Sequence, residues 1–458
     1  MKVLKFGGTS VGSAARIREV ARLVSDKGKN IIVLSAMAGT TNTLVEICDY
    51  LYKKNQAGAR DIVNALESKY DGVIAELFDT AATSAGTRGG AMVSAAATAA
   101  RADARARVQR CLAYIRSLMG VEFTETDEKE ILAQGELMST ALMNAYLQFT
   151  GVKAVMLPAL KFMRTDEQGE PDMRYISVRL KRLIDMNPDA DLYLTQGYIC
   201  RNEYGDIDNL QRGGSDYTAS IIGAALDLDE IQIWTDIDGM HNNDPRFVDG
   251  TRPVSELHFE EAAELAYFGA KILHPACVLP ARLHNIPIRL LNTMEPEKPG
   301  TLIHNTQPDK QIKAVSAKDN ITAIHIKSGR MFLAYSFLNK VFATFEKHCT
   351  PVDMIATSEV GVTVTIDNNE RLQAIVDDLK KFGTVNVDTN MTIICVVGDL
   401  QWHNGGYEGR VIEALGDLPL RMISYGGSNY NIAVVVRQTD KVEALNRLSA
   451  SLFPSTAQ

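Results

Sequence analysis

Short apolar runs separated by helical periods dominate the first two thirds of the chain. Val3-Leu4-Lys5-Phe6 is followed by Ile17, Val20, Ala21 and Val24 at helical spacing, then by NIIVLSA at 30–36. Further strand candidates are KAVML at 153–157, LYLTQGYI at 192–199, IQIWTD at 231–236 and IPIRLLN at 286–292. Apolar strands alternating with helices predict an α/β three-layer sandwich, a mainly parallel sheet covered on both faces. Ligands of such sheets bind beyond the carboxyl ends of the strands. The alanine-rich stretch 81–107 predicts a loop leading into an exposed helix, a spacer without chemistry.

After PGTLI at 299–303 and the polar HNTQPDKQ, the pattern changes to an internal repeat. PVDMIATS at 351–358 with GVTVTI at 361–366 aligns with PLRMISYG at 419–426 and IAVVV at 432–436, the two prolines lying 68 residues apart. Each copy has a strand first (321–326 and 392–397), then a helix (337–348 and 405–416), and a second helix downstream (370–381 and 440–451). The first copy adds a strand at 384–389. Each copy thus reads as a ferredoxin-like split βαβ unit, βαββαβ when complete. The second is one strand short, so the two copies are expected to share or exchange elements. The expected boundaries are 1–303 for the α/β part, 314–390 for the first repeat, which could take in part of 440–458, and 391–458 for the second.

Composition narrows the function classes. A chain of 458 residues exceeds the size of one core, about 250 to 300 residues, and predicts two to three domains. No apolar run reaches the roughly 18 residues that span a bilayer. The net charge of −8, without a basic run, gives no electrostatic drive toward nucleic acid or acidic lipid. Cys48, Cys111, Cys200, Cys277, Cys349 and Cys395 are scattered without metal-site spacing and read as free thiols. The first residues already form a strand rather than a leader, so a cytoplasmic protein is expected.

Four stretches carry candidate chemistry. KFGGTSVGS at 5–13 has the Gly7-x4-Gly12 spacing of a P-loop, but Ser13-Ala14 stands where Lys-Ser/Thr belongs, so it is no Walker motif. Lys5 leaves a strand just before bare glycine amides, and Thr9 and Ser10 lie near a helix start whose N–H groups favour anions. An ordinary strand-to-helix turn would use the same glycines. In QRGGSDYTAS at 211–220, Ser215 suits an N-cap and Asp216 a dipole-matched first turn, while Arg212 suits bidentate capture of a carboxylate or phosphate. IWTDIDGMHNNDPR fails as an EF-hand because Gly239 follows Asp236-x-Asp238 directly; a nucleotide-contacting loop or a solvated turn remains. Lys271 sits in the apolar FGAKILHPA, where it serves a ligand or snorkels to the surface.

Together KFGGTSVG, LSAMAGTTN, QGELMST, RGGSDYTA, WTDIDG with DPR, and FGAKILHP resemble, in order, the motifs of aspartate kinases in the amino acid kinase superfamily. The repeated tail resembles the paired ACT domains of the same enzymes. The resemblance implies transfer of the γ-phosphoryl of MgATP to the side-chain carboxylate of L-aspartate, giving 4-phospho-L-aspartate on the route to lysine, threonine and methionine. It implies Lys5 bridging phosphates and acceptor, Gly7 and Gly8 offering amides, and Asp216 orienting Lys5 and helping to hold Mg²⁺. Glu136 and Arg212 match the positions that read the substrate's ammonium and α-carboxylate, with Ser35, Thr41 and Ser215 adding hydrogen bonds. Thr235, Asp236, His241, Arg246, Lys271 and Ile272 match nucleotide contacts, although many relatives carry tyrosine where His241 stands. Magnesium follows from the polyphosphate charge, and no residue is assigned as a dedicated metal ligand.

In the tail, Met331, Phe337, Leu338, Val352, Asp353 and Ser358 match effector contacts of lysine-sensitive relatives. The alternative for Phe337 and Leu338 is core packing. Ala334 stands where some relatives carry serine, which leaves lysine and threonine both open as effector. The resemblance further implies end-product inhibition and a homodimer or homotetramer built through the ACT domains, with no nucleic-acid or membrane partner. The several hundred residues of a fused homoserine dehydrogenase are absent, so a monofunctional enzyme is expected. Two alternatives are a carboxylate kinase like glutamate 5-kinase and a catalytically inactive amino-acid sensor on the same fold.

Overall fold

The apolar runs form strands whose two faces bury against different helices. The computed structural model describes residues 1–25, 28–79, 90–210, 213–270, 273–305, 309–328, 334–358 and 361–454. Packing divides the chain into two units, Met1–Gly239 with Ile272–Asn305, and Met240–Lys271 with Thr306–Gln458. The elements of the first are β1 (Val3–Phe6), α1 (Ala14–Ser25), β2 (Ile31–Leu34), α2 (Thr40–Tyr52), α3 (Gln56–Leu77), α4 (Gly90–Ser117), α5 (Glu125–Phe149), β3 (Ala154–Met156), α6 (Met173–Asp185), β4 (Leu192–Gln196), β5 (Ile199–Arg201), β6 (Ile207–Asn209), α7 (Gly214–Leu226) and β7 (Ile231–Thr235). After β8 (Glu256–His258) and α8 (Phe259–Tyr267), which belong to the second unit, α9 (Pro275–Leu283), β9 (Ile288–Asn292) and β10 (Thr301–His304) complete it.

Within this unit the strands run β3-β4-β2-β1-β7-β9-β10, parallel except for the last pair. The two-residue period of β1 and β2 sends Leu4, Phe6, Ile32 and Leu34 into one core with α1 to α5. Val3 and Ile231 face α7 instead, where a Cβ on Gly223 would stand 2.7 Å from the Ile231 side chain. That glycine allows the helix to seat closely on the sheet. Helices on both faces make the α/β three-layer fold, as the strand pattern predicts. The expected exposed helix after residue 90 differs: α4 buries Ala97, Ala104, Val108, Leu112 and Ile115. Alanines at helical spacing hide this apolar stripe in the sequence.

In the second unit, β11 (Ile312–Ser328), α10 (Ala334–Lys347), β12 (Ile355–Thr357), β13 (Gly361–Ile366), α11 (Leu372–Leu379), β14 (Gly383–Gly398), α12 (Tyr407–Leu415), β15 (Met422–Tyr425), β16 (Asn431–Arg437) and α13 (Lys441–Leu452) follow one another. The sheet runs β12-β13-β11-β14-β16-β15. β11 and β14 are long antiparallel strands whose register breaks near Asn320 and Asn390, both at positive φ (60° and 55°). β13 pairs with 322–327 of β11, whereas β16 pairs with 391–397 of β14. Each repeat therefore takes half of each long strand, and 312–318 supplies the strand that the second copy lacks in sequence. Two cores result: Ile324, Ile326, Val341, Val362 and Ile375 in the first repeat, and Ile394, Val411, Val434, Leu445 and Leu448 in the second. The final helix α13 packs on the second core.

Candidate active site

Four neighbouring parallel strands end at one edge, and their following loops build the site. Strand alternation points Lys5 toward the α7 side, where its Nζ lies 2.6 Å from Asp216 Oδ1. Both side chains are mostly buried, 12% and 17% exposed, so this pair is poorly screened by solvent. Asp216 Oδ1 has no well-formed hydrogen bond among the described residues. Asp216 occupies the first turn of α7, as its charge predicts. Ser215 does not cap that helix: Gly213, at φ 75°, takes the N-cap position, and Ser215 lies inside the helix. A side chain at Gly213 would sit 2.8 Å from Cys277 Sγ, so packing as well as backbone sign selects glycine there.

The loop after β1 folds against the loop after β2. Ala38 N–H donates to Gly8 O at 3.0 Å, and a Cβ on Gly8 would come within 2.7 Å of Ala36 O. Gly7 N–H donates to Trp234 O at 3.2 Å, tying the loop to β7. A Gly8→Ala substitution must push these backbones apart, and a shift of about 1 Å at a reacting centre can cost about 10²-fold in rate. We expect kcat/KM of Gly8→Ala to fall by that order in a steady-state assay; an unchanged value would show that the loop tolerates the displacement.

Glu136 reaches this edge from α5. The helix starts with a capping box between Thr124 and Asp127. It approaches the β2 loop closely at Gly135, whose Cβ would lie 2.9 Å from Ala36 Cβ. This approach lets Glu136 Oε1 accept from Ala36 N–H at 3.1 Å. The residue is 5% exposed. Burial pushes its carboxyl up to about 8, opposed by hydrogen bonds from the Ala36 and Glu136 amides and by the charge of Lys5. Ser139 donates to Ser35 O at 2.8 Å and Thr140 to Glu136 O at 2.7 Å, fixing helix and loop together.

In front of Glu136 lies a cavity of about 440 Å³ whose lining includes Gly8, Ser35, Thr41, Glu136, Tyr198 and Ser215. Five of these six are expected site residues. Tyr198 is the addition: it has φ 67° and its N–H donates to Thr218 Oγ1 at 2.9 Å. A non-glycine in that conformation is a structural signal that sequence does not display. Thr235 ends β7, and its hydroxyl donates to the exposed Asp236 at 3.0 Å. Arg212, Lys271, Ile272 and Met331 lie outside the described residues.

His241 and Arg246 belong to the second unit. His241 Nδ1 is 3.0 Å from Thr251 Oγ1, and Arg246 makes a two-toothed ion pair with Asp244, 2.6 Å at its shortest. Arg246 is 68% exposed there, so the pair is solvent-screened.

The sequence pattern of the amino acid kinase family matches residues 1–292, and that of the ACT domain matches 394–452. Chloroplastic aspartokinase 3 of Arabidopsis thaliana is 35% identical over 98% of this chain and 81% of its own length. The chain belongs to the aspartokinase branch of the amino acid kinase family. Lysine-sensitive aspartokinase 3 of Escherichia coli K12 is 31% identical over 98% of this chain and 99% of its own. Among solved structures, E. coli aspartokinase III in complex with aspartate and ADP has a TM-score of 0.81 at 29% identity, covering 99% of this chain and 100% of that one. The same enzyme in complex with lysine and aspartate has a TM-score of 0.75 at 30% identity, covering 99% of each chain. The family's ACT tail corresponds to the repeated second half of the present fold.

In that tail the expected effector residues separate by environment. Phe337 is 8% exposed and packs in the first repeat's core, its ring edge-on to Phe382. Core packing, the alternative reading, describes it. Leu338, one residue on, is 40% exposed, so for it core packing fails. Val352 packs partly buried against the same core, and the Ser358 N–H donates to Gly361 O at 2.8 Å. Asp353 is already engaged: Lys318 Nζ lies 2.7 Å away and the Tyr267 hydroxyl 3.4 Å away. Burial leads in pushing its carboxyl above the ordinary carboxylate range, against the pull of Lys318.

Proposed function

We propose that the chain transfers the γ-phosphoryl of ATP to the β-carboxylate of L-aspartate, with the acceptor lying in the Glu136 cavity. The observation that carries this reading is a buried carboxylate facing an amino-acid-sized cavity beside the Lys5–Asp216 pair. Glu136 supplies the charge that an α-ammonium needs, and Ser35, Thr41 and Ser215 surround it with hydroxyls. Arg212 reads the α-carboxylate. Lys5 neutralises the oxygens that gain charge during transfer and the Gly8 amide adds a donor, whereas the Gly7 amide, expected to do the same, is taken by Trp234 O. Thr235 and Asp236 contact the nucleotide.

No residue needs to act as a general base. A side-chain carboxyl of pKa about 3.9 is already ionised at neutral pH. Asp216 therefore orients Lys5 through the 2.6 Å contact. Magnesium fits this donor set as an ion carried mainly by the substrate's phosphates: among the described residues no cluster of three or more His, Cys, Asp or Glu forms a cage, while Asp216, whose Oδ1 has the Lys5 ion pair but no regular hydrogen bond, can take part. When bound, the ion would draw charge from the phosphate oxygens.

Trapping the acyl phosphate with hydroxylamine in the presence of ATP, Mg²⁺ and either aspartate or glutamate tests the reading. Hydroxamate formed from aspartate supports it; product from glutamate alone, or from neither, overturns it.

Regulation by an end product, lysine first because the E. coli relative is lysine-sensitive, would act through Asp353. An arriving ammonium must displace Lys318 from that carboxylate, so the internal pair competes with the effector. We expect Asp353→Asn to raise the lysine concentration for half-inhibition by about 10²-fold, in line with the few kcal/mol at stake when one partner of a buried charge pair is removed. Inhibition curves run with lysine and with threonine check this, and an unshifted curve for both removes Asp353 from the effector site. A homodimer or homotetramer built through the ACT repeats is readable by light scattering. No helix among the described residues is long and apolar enough to cross a membrane.

A further inference from the structure

The internal repeat inverts its charges. KDNIT at 318–322 aligns with DTNMT at 388–392, both around an asparagine at positive φ. Lys318 thus corresponds to Asp388, Asp353 to Arg421 and Asp367 to Arg437. In the first repeat Lys318 bridges Asp353 at 2.7 Å and Asp367 at 2.8 Å. In the second, Asp388 pairs with Arg421 at 2.6 Å, and the exposed Arg437 has no ion pair among the described residues. A cluster of one cation and two anions has become one of one anion and two cations.

The two clusters also differ in what covers them. The 312–318 half of β11 is covered: Asn242 O accepts from Val315 N–H at 2.9 Å, and a Cβ on Gly269 would lie 2.1 Å from Ala317 O. The Tyr267 ring lies 4.9 Å from Lys318 Nζ. The corresponding half of β14, residues 384–388, pairs with β11 on one side and has no strand on the other among the described residues, because β16 pairs only with 391–397. Where the cover would be, a cavity of about 900 Å³ opens, lined by Asn386, Asp388, Asn390, Arg421, Arg437 and Thr439 among others.

We propose that this cavity is a binding site for a small organic oxyanion, a carboxylate or a phosphate. Two guanidiniums, one of them free, supply forked donors that match either group. The unpaired strand edge adds backbone N–H groups, and the amides of Asn386 and Asn390 with the Thr439 hydroxyl add neutral donors. Asp388 holds Arg421 in place through the 2.6 Å pair. The site is separate from the catalytic reading and does not depend on it.

Hydrogen exchange on the full chain tests this, because the alternate amides of 384–388 that face away from β11 report occupancy directly. Inorganic phosphate and succinate serve as the two probes, each against sodium chloride at equal ionic strength. At a probe concentration roughly ten times Kd, exchange in 383–391 and 437–440 should slow by about tenfold. Arg437→Gln should abolish the effect; Arg437 is exposed, and unchanged protection of 391–397 without ligand shows that the sheet is intact. Protection by phosphate alone assigns a phosphoryl ligand, by succinate alone a dicarboxylate, and by both the shared oxyanion chemistry. No protection by either probe, or equal protection in Arg437→Gln, overturns the proposal.

Discussion

Replacing Lys5 by alanine is expected to lower kcat by about 10³-fold, the scale on which phosphoryl and oxyanion transfer depends on one fixed positive group. The ammonium is held 2.6 Å from Asp216 at the end of β1, beside the close-packed Gly7-Gly8 turn. Its removal takes charge from the place where transferring oxygens gain it, and nothing in β1 itself depends on the side chain's length. The strand register and far-UV dichroism should therefore survive. Asp216 is left without its cation, so a somewhat lower melting temperature accompanies the loss. Hydroxamate formation by the variant at saturating ATP and aspartate is the measurement; a rate within tenfold of the parent would place Lys5 outside the mechanism.

Glu136→Gln should act on the other substrate. Losing the carboxylate leaves an α-ammonium facing a neutral amide in a dry pocket, and the KM for aspartate should rise by about 10²-fold, in line with the few kcal/mol at stake when one partner of a buried charge pair is removed. The pH profile separates this role from a structural one. In the free protein burial pushes the carboxyl up to about 8, so at neutral pH most of the molecules hold a proton that must leave before the ammonium binds. Apparent KM should therefore fall about tenfold per pH unit as pH rises toward that value, and then level off. The glutamine variant should show no such slope.

The same group predicts a stability change of opposite sense. A carboxyl whose folded pKa lies above its unfolded value keeps a proton that the unfolded chain has released. Stability from this group is thus full below the ordinary carboxylate range and declines as pH rises through about 8. Without ligand at pH 8, Glu136→Gln should melt at a higher temperature than the parent. Equal melting at pH 8 would mean that the carboxylate is better solvated than its 5% exposure implies.

What the sequence discloses follows the range of the forces involved. Strand alternation and glycine clusters are local, so the parallel sheet and the placement of Lys5 and Asp216 at its carboxyl edge can be read from spacing, whereas Ser35 and Glu136 are located only by the resemblance to aspartate kinases. Cap identity cannot: Ser215 has the chemistry of an N-cap, yet Gly213 takes the position because only glycine fits both φ 75° and the contact with Cys277. The Tyr198 backbone and the alanine stripe of α4 are hidden for similar reasons, since both depend on neighbours distant in sequence. The tail shows the limit most clearly. The candidate strands 384–389 and 392–397 are one continuous β14, and the partner that completes the second repeat comes from upstream of the first. Pairing across such separations leaves no periodic trace.

The exchange of half-strands between the repeats also governs how this tail can come apart. A cut near residue 390 yields no pair of intact modules; each fragment loses a ladder of main-chain bonds and bares the side of a sheet. Melting of the tail should accordingly be a single event, and a duplication of this kind, once interlaced, is no longer free to shed either copy.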